Sequence, residues 1–132
     1  MNREMVTDPL GVEDLWSDLR INLESLKRLG VKEILLLFGF SWGKSIYREE
    51  KTWHEMPAAL DEVEKLIFDA QDKGYGTLGQ DNLYMSIHDF DARLQYSNDI
   101  DIHLSFGKMN PFVKSVLDRW RANEWFTEKQ PR

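Results

Sequence analysis

One segment has the composition of a phosphate-binding loop: Gly39-Phe40-Ser41-Trp42-Gly43-Lys44-Ser45, which directly follows an apolar run. In a nucleotide-binding loop, four residues separate the two glycines, and the loop opens an amphipathic helix whose N-terminus faces the phosphates. Here only three residues separate Gly39 from Gly43, and the residues after Ser45 show no amphipathic stripe. The segment therefore does not predict nucleotide binding.

A second group combines imidazole and carboxylate side chains, namely His88, Asp89, Asp91, Asp99, Asp101 and His103. Nitrogen and oxygen ligands of this kind suit a divalent metal, and with it a small metal-dependent hydrolase. Aspartate is also a common turn residue, and a surface or structural role is the ordinary one for a histidine. We expect no metal site, because the strand register set out below places His103 beside Arg93 and leaves His88 at a turn.

No nucleophile stands out in the sequence. Ser41 and Ser45 have no identifiable histidine and aspartate partners, and the chain contains no cysteine, which excludes thiol chemistry and disulfides. We therefore predict no catalytic residues and no cofactor, and we expect the protein not to be an enzyme.

The balance of charge indicates which partners suit the chain. Its 132 residues include 17 Lys and Arg against 23 Asp and Glu, a formal net charge of −6. Direct nucleic-acid binding is disfavoured, because affinity for phosphate backbones comes from Lys and Arg. A negative field speeds encounter with a basic partner, although the same charge also serves solubility alone.

Length and hydropathy predict one globular domain over residues 1–132, since a chain of this size supports a single core. The N-terminal residues lack the apolar core of a signal peptide. The longest apolar run, residues 34–40, is too short to span a membrane. The expectation is a cytoplasmic protein with no membrane contact.

Periodic apolar residues predict three helices. The first stripe is Val12, Leu15, Trp16, Leu19, Leu23 and Leu26, and the second is Leu60, Val63, Leu66, Ile67 and Ala70. Gly30 and Gly74 are expected to end these two helices, and Pro57 to lie in the first turn of the second. Asn110 and Pro111 predict the start of a third helix, with Val113, Val116, Leu117 and Trp120 facing inward.

Strands are predicted from a continuous apolar run at 34–38, placed centrally in the sheet, and from period-two alternation after Leu83. The resulting order is α-β-α-β-β-β-α, an α+β fold in which helices pack on a sheet containing a three-stranded antiparallel meander. The apolar faces match if the first turn covers 88–91 and the second covers 97–99, which pairs Ile87 with Ala92 and Tyr96 with Ile100. Met85, Leu94 and Ile102 then adjoin on the buried face.

This register predicts two polar rows on the opposite face of the sheet. One row is Ser86, Arg93 and His103, and the other is Tyr84, Gln95 and Asp101. Antiparallel sheets commonly leave one face in water, so the rows are consistent with an ordinary solvated surface as well as with a recognition patch. For the patch, the candidate contacts are Tyr84, Arg93, Asp101 and His103 on the sheet. Trp42 and Trp53 are candidate anchors on the long connection before the second helix.

The segments Asn82-Leu83-Tyr84-Met85-Ser86-Ile87 and Tyr96-Ser97-Asn98-Asp99-Ile100-Asp101-Ile102-His103-Leu104-Ser105-Phe106, followed by Trp120, resemble small bacterial immunity proteins. Those proteins neutralise polymorphic toxins, including the toxins of contact-dependent growth inhibition systems. The resemblance implies a cytoplasmic, non-catalytic protein that binds the toxic C-terminal domain of a cognate effector. Together with the acidic charge, it favours a basic nuclease as the toxin. A small metal-dependent hydrolase and a non-catalytic regulatory or scaffold domain are the alternatives.

Overall fold

The chain forms an antiparallel sheet of six strands with α-helices packed on it, in a computed structural model that describes residues 2–39 and 55–126. The strands are β1 (Arg3–Val6), β2 (Glu33–Phe38), β3 (Glu55–Ala59), β4 (Leu83–Ile87), β5 (Ala92–Tyr96) and β6 (Ile102–Phe106). The described helices are α1 (Val12–Arg28), α2 (Leu60–Asp72) and α3 (Pro111–Ala122), and a 3₁₀ turn covers His88–Phe90. The predicted α+β class is confirmed.

The strands lie in the order β1-β6-β5-β4-β2-β3. The three predicted meander strands β4, β5 and β6 are adjacent, and β2 lies inside the sheet between β4 and β3 as expected. β1 and β3, which form the two edges, were not predicted. Each is short, and neither shows a clear apolar alternation.

The core lies between one face of the sheet and the helices. Alternate residues of the inner strands point into it, because successive side chains of a strand face opposite ways. Met85, Leu94 and Leu104 form one fully buried row across β4, β5 and β6, so Leu104 adjoins Leu94 and the predicted neighbour Ile102 is wrong. On α3, Val113 and Trp120 face this core as predicted, whereas Val12 at the start of α1 is exposed and Trp16 is only half-buried.

The helix ends follow the sequence signals. Gly30 has φ +87°, and the N–H of Val31 donates to the carbonyl of Leu26 at 3.0 Å, which is the hydrogen bond of a glycine-terminated helix end. Gly74 ends α2 in the same way, with φ +77°. The Asn110 side chain accepts from the N–H of Val113 at 2.9 Å and so caps α3.

Pro57 lies in β3 and not in the first turn of α2, so its predicted role is wrong. The N–H of Leu60 donates to the carbonyl of Lys32 at 3.1 Å, and hydrogen-bonded pairs alternate along an antiparallel ladder. By this alternation the nitrogen of Pro57 points to the outer side of β3. A proline there removes no ladder hydrogen bond, so an edge strand tolerates it.

The first predicted turn is confirmed, with Ile87 paired to Ala92, but the second is two residues longer than predicted. Tyr96 pairs with Ile102, and Ile100 lies within the turn with a φ of +55° and 42% of its surface exposed. A shift of two residues keeps every side chain on its face. Apolar alternation alone therefore cannot detect it.

Candidate binding face of the sheet

The face of the sheet opposite the helices carries polar side chains in two rows that cross β4, β5 and β6. With the longer turn, the rows are Tyr84, Gln95 and His103, and Ser86, Arg93 and Ser105. His103 thus lies in the row of Tyr84 and not of Arg93, which corrects the predicted pairing. Glu4 of β1 pairs with Ser105 and extends the face, which we call the open face.

Arg93 is held in place by three neighbours on the open face. Its Nε donates to Ser86 Oγ at 3.1 Å, and its guanidinium carbon lies 5.6 Å from the centroid of the Tyr84 ring. A terminal nitrogen lies 3.5 Å from Glu55 Oε2, which also accepts from Ser86 Oγ at 3.3 Å. The Arg93 side chain remains 38% exposed. A fixed, half-exposed guanidinium stacked on an aromatic ring suits recognition, because little side-chain entropy remains to be lost on binding.

A chain of amide and hydroxyl groups holds the neighbouring row. Gln95 Nε2 donates to Asn82 Oδ1 at 3.1 Å and to the Tyr84 hydroxyl at 3.4 Å. Asn82 Oδ1 also accepts from the N–H of Asn98 at 3.0 Å, which ties the row to the turn after β5. The phenol of Tyr84 is therefore oriented from both of its sides, by Arg93 over the ring and by Gln95 at the hydroxyl.

His103 lies between two carboxylates. Its Nε2 is 3.0 Å from Asp101 Oδ1, and its Nδ1 is 3.6 Å from Glu4 Oε2. The expected position of His103 beside Arg93 is therefore wrong, and its neighbours come from β1, which pairs with β6, and from the turn after β5. Asp101 lies before β6 and not in the row of Tyr84, and its carboxylate accepts a hydrogen bond from the Ser97 hydroxyl.

The trio Ser97, Asp101 and His103 does not have the geometry of a nucleophilic triad. In a triad the histidine contacts the serine and the carboxylate orients the histidine. Here both Ser97 and His103 bond to Asp101, and Ser97 is buried. The two hydrogen bonds to Asp101 instead close the turn between β5 and β6 and hold the His103 imidazole on the open face.

The candidate metal ligands lie at opposite ends of β5. His88, Asp89 and Asp91 surround the turn before this strand, where they line an open cleft of about 630 Å³, and Asp101 and His103 lie at the turn after it. Within residues 2–39 and 55–126, no three His, Asp or Glu side chains come together as a metal site. The described residues thus offer no ligand set for a divalent ion.

A buried polar cluster, which we call the anchor, attaches α1 and α3 to the sheet behind the open face. Asp18 is fully buried, and its carboxylate accepts from Asn22 Nδ2 at 2.8 Å, the Tyr96 hydroxyl at 2.9 Å, Arg119 at 2.7 Å and Trp120 Nε1 at 2.9 Å. Because these four donors from α1, β5 and α3 end on one carboxylate, the anchor fixes three elements relative to each other.

Tyr96 shows how strongly the anchor is shielded from water. Burial, followed by the negative charge of Asp18, raises the pKa of the Tyr96 hydroxyl well above its usual value. The phenol consequently stays protonated and donates to Asp18. β5 carries Tyr96 on its buried face and Gln95 on its open face, so the anchor also positions the strand from which Arg93 projects.

The anchor was not predicted, although the sequence holds one signal for it. Asp18 and Asn22 interrupt the apolar stripe of α1 at a spacing of four residues, between Leu15, Leu19 and Leu23. A polar pair at this spacing on a buried stripe requires buried partners. The identity of those partners depends on tertiary contacts, because Tyr96 and Arg119 are remote in the chain.

The structure thus brings together Tyr84, Arg93 and His103 on the open face and places Asp101 at its margin. Glu4, Glu55 and Asn82 belong to the same surface and were not predicted as candidates. Trp42 and Trp53, the two candidate loop anchors, lie outside the described residues.

Comparison of the chain with protein-family models, with curated proteins and with solved structures finds no match. Among the described residues, no helix has the length and apolar character needed to cross a membrane.

Proposed function

We propose that this protein binds another protein through the open face of its sheet and acts as an immunity-type inhibitor of a bacterial toxin domain. The observation that carries the binding proposal is the arrangement of Arg93 and Tyr84, which are stacked, hydrogen-bonded and half-exposed. Arginine and tyrosine are among the residues most often found at energetic centres of protein interfaces. Their fixed geometry reduces the entropic cost of binding.

The charge of the open face indicates the kind of partner. Among the described residues, the acids Glu4, Glu55 and Asp101 lie on this surface or at its margin, together with the guanidinium of Arg93. The whole chain also has a formal net charge of −6. Such a field accelerates association with a basic surface. A basic toxin such as a nuclease fits this requirement, and capture would keep it from its own substrate.

The inhibitor proposal also draws on the resemblance of residues 82–106 and Trp120 to immunity proteins. Nearly all of these residues fall in the meander β4–β6, whose outer side is the open face. Of the residues that carry the resemblance, Tyr84, Ser86, His103 and Ser105 lie on the open face, whereas Arg93 and Glu55 lie outside the resembling segments. A scaffold or regulatory protein would share the binding face but would have no toxic partner.

The proposal is tested by protection of living cells. The partner is recovered on immobilised protein, and its gene is expressed with and without this chain. An immunity protein restores growth, and the Arg93→Ala variant restores it less well. A partner that binds through the open face but does not harm cells would instead indicate a scaffold or regulatory role.

The chain offers a matched control for this experiment. Arg20 lies 5.7 Å from the centroid of the Trp16 ring and donates to Glu64 at 2.6 Å, on the helical side of the molecule. This trio has the same chemistry as Arg93, Tyr84 and Glu55 but lies away from the open face. Arg20→Ala should leave protection unchanged, so a loss in both variants would point to a general effect of removing a surface arginine.

A further inference from the structure

The two edges of the sheet differ in how they are protected. On β3, the nitrogen of Pro57 points outward, so the middle of this edge offers no N–H to an approaching strand. β1, the opposite edge, has no proline in Arg3–Val6. Because an unprotected edge is a template for pairing with another chain, β1 is the edge that can accept one.

The hydrogen bonds of β1 show which of its groups are directed outward. The N–H of Thr7 donates to the carbonyl of Ile102 at 3.0 Å, and the N–H of Ile102 donates to Thr7 Oγ1 at 2.9 Å. Since hydrogen-bonded pairs alternate, Met5 and Arg3 also bond to β6, while the N–H and C=O groups of Glu4 and Val6 point away from it. Among the described residues, no strand pairs with this side. The next outward N–H, that of Asp8, donates to the Trp125 carbonyl at 2.7 Å, so the unpaired groups of this edge are those of Glu4 and Val6.

The side chains around β1 indicate the chemistry of a strand that would pair there. Glu4 and Val6 share the open face, and the Glu4 carboxylate is 40% exposed. Asp101, on the far side of His103, is a second acid close to this edge. Opposite charges in facing positions stabilise a strand pair. A lysine or arginine facing Glu4, with an apolar residue facing Val6, therefore fits this edge.

A second copy of the chain fits less well. An antiparallel two-fold pairing through the outward groups of Glu4 and Val6 places Glu4 opposite Glu4, or diagonal to Glu4, of the other copy. The register that places Glu4 opposite Asp8 also brings two acids together, and there the Asp8 N–H is already bonded to the Trp125 carbonyl. Each of these registers brings like charges together, which destabilises a strand pair. Charge complementarity thus favours a basic strand from a different protein.

We infer that β1 extends the binding surface by accepting an extended, basic strand of the bound partner, which adds antiparallel to Glu4 and Val6. This inference rests on the proposed function and specifies how the partner is held. Main-chain hydrogen bonds at the edge provide affinity. The carboxylate of Glu4 selects a basic residue beside the open face.

The inference is tested without the partner, using a short capped peptide in which a valine precedes a lysine by two residues, so that both side chains lie on one face, opposite Val6 and Glu4. The peptide is titrated into isotopically labelled protein, and amide chemical shifts are followed by NMR. The largest changes are expected at Glu4 and Val6. The Val6→Pro variant removes an outward donor without removing a bond to β6, and it should bind at least fivefold more weakly, the effect of roughly one hydrogen bond.

Three controls make the result decisive. Val6→Ala keeps the outward N–H, so it should bind at least fivefold more tightly than Val6→Pro. The same peptide with glutamate in place of lysine should bind the native protein at least fivefold more weakly, because its carboxylate faces Glu4. If Val6→Pro does not fold, Glu4→Pro changes the other outward donor. Equal binding by the proline and alanine variants, shifts centred away from β1 and β6, or no binding would overturn the inference. Because the assay does not use the partner, such a result leaves the protection experiment to judge the proposed function independently.

Discussion

The Tyr96 hydroxyl donates to the Asp18 carboxylate at 2.9 Å across 78 positions of sequence. This bond joins the strand at the middle of the meander to α1, and α3 joins through Arg119 and Trp120. The residues that support the open face from behind are thus drawn from both ends of the described chain. The hydrogen bond between Tyr96 and Asp18 therefore contributes both to the stability of the fold and to the geometry of the open face.

We expect Asp18→Ala to destabilise the protein by about 3–5 kcal/mol, because it leaves the Arg119 charge and several buried donors without their acceptor. Chemical denaturation monitored by tryptophan fluorescence measures the change. Asp118→Ala is the matched control, since Asp118 bonds Lys114 at 2.7 Å on an exposed surface of α3. That change should cost much less, because an exposed ion pair contributes little to stability. Similar losses for the two variants would show that the anchor contributes little.

The raised pKa of Tyr96 predicts a loss of stability in alkaline solution. An unfolded tyrosine ionises near pH 10, whereas the folded protein keeps this phenol protonated through burial and Asp18. The folded state therefore binds more protons above that pH, so this contribution is fully present below about pH 10 and is lost as the pH rises towards the folded pKa. Measurements of the free energy of unfolding below and above pH 10 test this predicted loss of stability.

Two variants separate the titration of Tyr96 from its hydrogen bond. Tyr96→Phe should lower stability by about 1 kcal/mol near neutral pH and should flatten the alkaline decline. Trp120→Phe removes another donor to Asp18 but no titrating group, so it should lower stability while keeping the native decline. An unchanged alkaline slope in Tyr96→Phe would refute the assignment.

The backbone at the C-terminal end of α3 is strained, and a single substitution should relieve the strain. Glu124 has φ +58°, and the N–H of Trp125 donates to the carbonyl of Trp120 at 3.0 Å, an arrangement that favours glycine. Glu124→Gly should stabilise the protein by about 1 kcal/mol. Gly30→Ala, at the equivalent position of α1 and with no atoms near an added methyl group, should destabilise it by a similar amount. Thermal unfolding of both variants checks the sign, and a destabilised Glu124→Gly would contradict the account.

The sequence predicts the helices, the inner strands and the α+β fold class, because apolar residues recur at a regular spacing in these elements. It misplaces Pro57 because a proline before an apolar stripe is as typical of a helix start as of an edge strand. The turn after β5 is misjudged because Ile100 looks like a strand residue but adopts a left-handed backbone conformation in the turn. In both cases the local sequence pattern is compatible with either structure.

In the candidate site, likewise, the sequence predicts the face on which a residue lies better than it predicts the neighbours of that residue. Tyr84, Arg93 and His103 are assigned to the correct face because face depends only on alternation. Their neighbours are assigned less well, since a two-residue shift moved His103 into the row of Gln95 and towards Asp101 and Glu4. Contacts with Glu4 and Glu55 could not be predicted, because they require β1 and β3 to be recognised as strands.

Association with a basic partner should slow as salt is added. Screening shortens the reach of exposed charges from about 30 Å at 0.01 M salt to about 10 Å at 0.1 M. Stopped-flow measurements should show a falling association rate and a nearly constant dissociation rate. Glu55→Gln should lower the association rate at low salt, and an association rate that is independent of salt would argue against a basic partner.

The central claim is that the partner binds the open face, and titration calorimetry of the recovered partner against three proteins tests it most directly. Arg93→Ala should weaken binding by roughly 2 kcal/mol or more relative to the native chain, as expected for an energetic centre. Arg20→Ala, with its similar stacking and ion pair on the helical side, should leave the affinity unchanged. If Arg20→Ala weakens binding and Arg93→Ala does not, the partner binds the helical side and the claim is wrong.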